Sequence, residues 1–328
     1  MNHRRTLVGA LGAGMLVTAL PARAQPPAPA MPRVVLVIPG TLQTQPERVN
    51  VFRQRLRELG HIEGKNLVLE VRELDSRFEQ YPRLMQEIVR SNPQVIVLSG
   101  SPAVRAALAA TSTIPIVTIT VGRPVEQGFA VSLARPGKNV TGNVLIEGVS
   151  DEKSVEIIHE FVPKGTRIAF LDDPANPVDG RKQRFTAAAA RRKLTPLFVS
   201  ASSVQDVPQA FTSAVAQRAQ MMVVANTSIF LANPKLVVEL AARHRLPAVY
   251  PNDAFVADGA LVTYGYSNAV MARNAALIVD RILKGRKPAE LPFEQPTRFE
   301  MIVNLKTAKA LGLKVPQTVL VRADRVIE

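Results

Sequence analysis

Residues 34–60 read VVLVIPGTLQTQPERVNVFRQRLRELG, and this stretch decides the fold. Val34 to Ile38 is a short all-apolar run that ends at Pro39-Gly40, as a strand buried on both faces does. Pro46 suits the first turn of a helix, and Val49, Phe52, Leu56 and Leu59 follow on one side of it. Gly60 is placed to end that helix. A buried strand followed by an amphipathic helix is the repeating unit of a parallel α/β sheet.

The unit recurs along the chain. Leu67–Val71, Gln94–Leu98 and Ile116–Ile119 read as further strands, with helical stripes at Tyr81–Val89 and Ala103–Ala110 between them. A second series runs through strands at Arg167–Leu171, Leu197–Ser200, Met221–Ala225 and Ala248–Tyr250. Its helices are expected at Lys182–Arg192, Val207–Arg218 and Pro234–Arg243. The tail departs from this alternation: a strand at Leu261–Tyr264, a long helix at Asn268–Leu283, then a strand at Phe299–Val303 and a short helix at Thr307–Leu311. The expected fold class is α/β, with two doubly wound parallel-sheet lobes joined by a multi-strand hinge. The leftover helix and strand predict that the chain crosses between the lobes more than once.

The amino terminus predicts export. Asn2-His3-Arg4-Arg5 is a short basic start, Thr6–Leu20 is mainly apolar, and Ala22-Arg23-Ala24 supplies the small residues of an A-x-A cleavage site. The apolar run is shorter than the roughly 20 residues a membrane-spanning helix needs. Cleavage near Ala24 and a periplasmic location are expected, without stable membrane insertion. Gln25–Pro32, with four prolines in eight residues, reads as an extended linker. The chain has no cysteine, which excludes both a lipid-bearing cysteine and disulfide stapling. Hydrophobic residues at 47% and charged residues at 21% describe an ordinary globular protein. The net charge of +14 falls to about +11 once Arg4, Arg5 and Arg23 leave with the leader. The basic residues are dispersed, with no zinc-finger spacing or aromatic RNA-binding signature, so no nucleic-acid partner is expected.

No catalytic constellation emerges, and an enzyme is not expected. His3, His61, His159 and His244 lie far apart without metal-ligand spacing, and no phosphate-binding loop or nucleophile elbow is present. No cofactor or metal is implied. What remains is a set of polar residues just after strands, where open α/β sheets place ligands. Gly40 and Thr41 follow the first strand; Ser99, Gly100 and Ser101 follow the third, and Thr120 closes the next. The Ser101 hydroxyl and the amides of Ala103 and Val104 can hold a carboxylate, or Ser99 or Ser101 can simply cap the helix. In the second series the strand-end residues are Asp173 and Asn176, Asn226 and Thr227, and Asp253. Tyr250, Tyr264 and Phe230 are open between stacking on a ligand and filling the core.

Several segments carry a resemblance. Leu59–Asn66 reads LGHIEGKN against LGYxEGKN, Thr113–Val117 reads TIPIV, and Ser132–Gly142 reads SLARPGKNVTG against SLARPGGNVTG. Ile282–Ala289, Asn304–Gly312 and Arg322–Glu328 complete it, so the likeness spans nearly all of the mature chain. These segments are similar to those of the ABC-transporter substrate-binding proteins of the type I periplasmic binding protein fold, whose related members are associated with amino-acid uptake. The resemblance implies capture of a small solute, an amino acid or small carboxylate, between two lobes, and delivery to a permease served by a separate ATPase. It further implies a monomer. The alternative with the same fold is a periplasmic ligand-sensing protein that reports to a receptor or sensor kinase. The implied division is a leader at 1–24, a linker at 25–32, an N-terminal lobe of 33–142 plus 267–290, and a C-terminal lobe of 143–266 plus 291–328. Hinge candidates are Thr141-Gly142, Tyr264-Gly265 and Leu291–Phe293, with the glycines read as easing rotation. Where relatives carry Asp-Pro-Val, this chain has Arg123-Pro124-Val125. If that position faces the cleft, the exchange favours a carboxylate over an ammonium group, a preference that Arg123→Asp would reverse.

Overall fold

A computed structural model describes residues 31–328 apart from 146–148, 176, 177, 179 and 297. The first sheet is built from β1 (Arg33–Ile38), α1 (Pro46–Glu58), β2 (Val68–Glu73), α2 (Tyr81–Arg90), β3 (Val95–Ser99), α3 (Ser101–Ala110), β4 (Ile116–Gly122) and β5 (Val140–Leu145). All its strands are parallel, in the order β2-β1-β3-β4-β5. Side chains alternate across β1: Val34, Leu36 and Ile38 meet Phe52 and Leu56 of α1, while Val35 and Val37 meet α2 and α3. Burial on both faces is why the run carries no polar residue.

The second sheet follows with α4 (Val149–Phe161), β6 (Arg167–Asp172), α5 (Arg181–Arg191), β7 (Thr195–Ser200), α6 (Val207–Ala216), β8 (Met221–Val224), α7 (Ser228–Ala232), α8 (Pro234–Arg243), β9 (Ala248–Asn252) and β10 (Val262–Tyr266). After it come α9 (Asn268–Leu283), β11 (Glu300–Asn304), α10 (Leu305–Leu311), α11 (Gln317–Arg322) and β12 (Arg325–Ile327). Its strand order, β12-β11-β10-β9-β8-β6-β7, repeats the first sheet's winding and adds two strands at one edge. Of these, β11 runs antiparallel to β10, so this sheet is not purely parallel. The cause is topological: β11 returns from the first lobe and enters its sheet from the opposite end.

The chain crosses between the sheets at three places: after β5, after β10 and after residue 290. The long helix α9 does not cover the second sheet that precedes it. It buries Met271, Ala275, Ile278 and Ile282 against α1, β4, β5 and β3 of the first. β5 carries the first sheet to Leu145, past Gly142. Its Thr141 and Asn143 look like loop residues, yet both are fully buried and their side chains serve the crossings. Thr141 Oγ1 donates to Leu291 O at 2.7 Å, and Asn143 Nδ2 donates to Met271 O at 3.0 Å. The Glu294 amide donates to Gly142 O at 2.9 Å, which ties the third crossing to the same strand. No helix among the described residues is long and apolar enough to cross a membrane.

Candidate functional site

Both sheets reverse their winding beside their first strand, between β1 and β3 in one and between β6 and β8 in the other. At such points the helices leave on opposite faces and the strand ends lie open. The two sets of strand ends face each other. Between them is a cavity of about 40 Å³, lined by Pro39, Arg48, Ser99, Gly100, Ser101, Thr120, Gly122 and Leu145 and, from the second lobe, by Asn226, Thr227, Ser228 and Leu231.

The lobes touch around this cavity. Gln45 Nε2 donates to Leu231 O at 3.2 Å, and Asn233 Nδ2 donates to Ser76 Oγ at 3.0 Å. Gly100, at φ +86°, begins α3, and a Cβ there would lie 2.6 Å from Ser228 Oγ. Only glycine fits both the left-handed backbone and that approach. A polar relay completes the seam. Asn252 Nδ2 donates to the Tyr266 hydroxyl at 3.0 Å, which in turn donates to Asn226 Oδ1 at 3.1 Å. Burial pushes the Tyr266 hydroxyl up to about 12, so it stays protonated and keeps its donor.

Of the residues selected from sequence, Ser99, Gly100, Ser101, Thr120, Asn226 and Thr227 line one cavity. Neither Ser99 nor Ser101 caps α3; Gly100 is its N-cap residue, without a side-chain hydrogen bond. Ser101 Oγ accepts from Gln127 Nε2 at 2.8 Å. The Val104 amide is spent inside the helix on Gly100 O at 3.2 Å, which removes one of the donors read as free. Ala103 has its side chain in the core and does not line the cavity. Gly40 packs beside the second lobe, where an added Cβ would sit 3.3 Å from Ala232 O. Thr41 closes a local turn with Thr44. Asn176 lies outside the described residues.

The remaining four are placed elsewhere. Arg123, at φ +42°, lines an adjoining cavity of about 390 Å³ together with Pro124, Val125, Val178, Arg184 and Gln295. Asp253 accepts from the Asn268 amide at 3.0 Å and from Ser267 Oγ at 3.0 Å, so it fastens the start of α9. Tyr264 stacks on Phe299 with ring centroids 5.8 Å apart and is not among the residues that line the cavity. Tyr250 and Phe230 are core. His61 meets Asp280 Oδ1 at 2.8 Å within the first lobe.

Asp173 ends β6 with a buried side chain that accepts from the Ala175 amide at 2.9 Å. Burial pushes its carboxyl up to about 6, against the pull of that hydrogen bond. A carboxyl raised in the fold above its unfolded value of about 4 costs stability as pH climbs through that interval. Asp173→Asn should therefore stabilise the protein at pH 7.5 by about 2 kcal/mol, and the gain should vanish by about pH 4. Paired melting curves across that range check this; a gain independent of pH would refute it.

Sequence reading missed Arg48. It precedes Phe52 by one helical turn and Leu56 by two, so a cation on the apolar stripe of α1 was the available signal. It is 5% exposed and lines the cavity, as well as a second one of about 290 Å³ beside Asp253 and Asn268. Among the described residues no set of three His, Cys, Asp or Glu side chains converges as a metal site would.

Residues 43–327 match the family described as ABC transporter substrate binding protein. A relative from Clostridioides difficile strain R20291, named tyrosine-binding protein, is 23% identical over 265 residues, covering 80% of this chain and 76% of its own. Among solved structures, an ABC domain from Streptococcus pneumonia in complex with L-Trp superposes with a TM-score of 0.81 at 19% identity, covering 90% of this chain and 99% of that one. The ligand-free, open structure of a substrate binding protein with adhesive properties from Clostridium difficile gives 0.62 at 20% identity, with 90% and 99% coverage.

Proposed function

This chain belongs to the family of ABC transporter substrate-binding proteins, and from that premise we propose that it captures an amino acid or small carboxylate between its lobes. The observation that carries the reading is the polar cavity itself. Hydroxyls, amides and a cation from both lobes converge where the two windings reverse, with no nucleophile and base poised for turnover among the described residues. The L-Trp complex and the tyrosine-binding relative support the amino-acid class.

The inter-lobe contacts at Gln45, Ser76, Leu231 and Asn233 describe lobes drawn together. A cavity of about 40 Å³ is too small for an amino acid, so the solute enters as the lobes part. Rotation is taken up at the three crossings, and solute contacts to both lobes then favour the closed form. Export through the leader-like start, docking on a permease and use of a separate ATPase complete the proposed importer role.

Thermal unfolding against a panel of L-amino acids, small carboxylates, sugars and polyamines tests the reading. A solute at a hundred times its dissociation constant adds roughly 2.7 kcal/mol and raises the melting point by several degrees. Stabilisation by an amino acid or carboxylate is the expected result. A shift with sugars or polyamines alone would overturn the solute class.

A further inference from the structure

We propose that Arg48 is the residue that reads a carboxylate on the bound solute, with Thr227 of the facing lobe closing on the same group. This rests on the reading of the cavity as the solute site and names the chemistry that the site selects.

Arg48 is a buried cation with an unusual set of neighbours. Its Nη1 donates to Gln45 Oε1 at 3.0 Å and its Nη2 to Asn268 Oδ1 at 2.7 Å. Both acceptors are neutral amides. No carboxylate lies at ion-pair distance from it among the described residues. Asp253 acts on it only from beyond that distance, and its oxygens are occupied by Ser267 and by the Asn268 amide and side chain. A guanidinium has five N–H donors in a fixed fork, so two amide contacts leave donors over. Burying a cation without an anion is costly, and proteins normally pair such groups.

The second observation comes from the opposite lobe. Thr227 is 2% exposed, lines the same cavity as Arg48, and its Oγ1 has no hydrogen-bond partner. A buried hydroxyl without a partner is rare for the same reason. A carboxylate between the two answers both: one oxygen takes the guanidinium donors and the other takes the Thr227 hydroxyl. The arrangement also links recognition to closure, because Gln45 holds Arg48 with its oxygen while its nitrogen donates to Leu231 across the seam.

Calorimetric titration of the purified protein with L-tyrosine, L-tryptophan and L-leucine, each beside its carboxamide, and with D-ribose tests the assignment. An acid should bind roughly 100-fold more tightly than its amide. Arg48→Gln should lose that factor for the acid and leave the amide unchanged, with Arg48→Lys between the two. Thr227→Val should weaken the acid more than the amide. A folded Arg48→Gln protein that binds the acid with wild-type affinity would overturn the proposal, as would equal binding of acid and amide. Binding of ribose or amides without any acid would overturn the role of Arg48 while leaving solute capture in place. Failure of every compound to bind would overturn both. If Arg48→Gln does not fold, the acid-to-amide ratio of the wild type and the Thr227→Val variant decide.

Discussion

Gly265→Ala should leave little or no folded protein. Gly265 sits in β10 beside β9, and a Cβ there would lie 1.7 Å from the carbonyl oxygen of Pro251 and 2.7 Å from its carbonyl carbon. Both obstacles are backbone in the interior of the seven-stranded sheet, so neither can swing aside as a side chain would. Separating two central strands by enough to admit a methyl group costs at least about 3 kcal/mol. Urea denaturation and soluble yield check this. Gly60→Ala is the control, because Gly60 has φ +92° with nothing within 4 Å of the added atom. It should lose only about 1 kcal/mol to backbone strain. If Gly265→Ala melted with the wild type, the close approach of β9 and β10 would be wrong.

That result also changes what the hinge glycines are for. Read from sequence, Gly142 and Gly265 ease rotation. In the fold they admit a neighbouring strand: a Cβ on Gly142 would lie 2.3 Å from Thr118 O. The crossings they adjoin are held by hydrogen bonds from Thr141 and Asn143.

The second large effect is expected at Arg181, which is 3% exposed at the start of α5. Its Nη1 donates to Asp172 Oδ1 at 3.0 Å, and its Nε lies 3.2 Å from Asp151 Oδ2, at an angle short of a hydrogen bond. The guanidinium also lies 6.0 Å from the centre of the Phe170 ring. Arg181→Met removes the guanidinium that meets two nearly buried carboxylates and should cost about 3–5 kcal/mol at pH 7. Burial already pushes the Asp151 carboxyl up, with Arg181 opposing it. Without Arg181 that carboxyl rises further, so part of the loss should return as the pH falls and Asp151 takes up a proton. Urea denaturation at pH 7.5 and pH 5 measures this. Arg181→Met combined with Asp151→Leu and Asp172→Asn should recover much of the stability, because an uncompensated charge costs more than an absent pair. A loss below about 1 kcal/mol at pH 7.5 would show that the cluster is solvated rather than buried.

Local signals were enough for most of the elements. The all-apolar run Val34–Ile38 became β1, and the stripe through Val49, Phe52 and Leu56 became the buried face of α1. Polar residues after the third strand of each series, Ser99–Ser101 and Asn226-Thr227, came together in one cavity. Other strand-end residues did not join them. Asp253 was drawn to the α9 terminus and Tyr264 to Phe299, since a turn residue serves whichever donor or ring reaches it first. β5 escaped notice because Thr141, Gly142 and Asn143 look like a loop until the crossings that satisfy them are in place.

The sequence by itself determined two wound series of strands and helices and their polar strand ends, because periodicity and turn chemistry act over a few residues. The tertiary structure alone decided that α9 packs on the first sheet, that β11 runs antiparallel and that Arg48 faces the cavity. Those outcomes rest on bonds such as Thr141 to Leu291 and Arg48 to Asn268, which join residues 150 and 220 positions apart. Whether a cation on an apolar stripe is stranded in a core or turned toward a solute depends on which distant backbone closes over it, and nothing local carries that information.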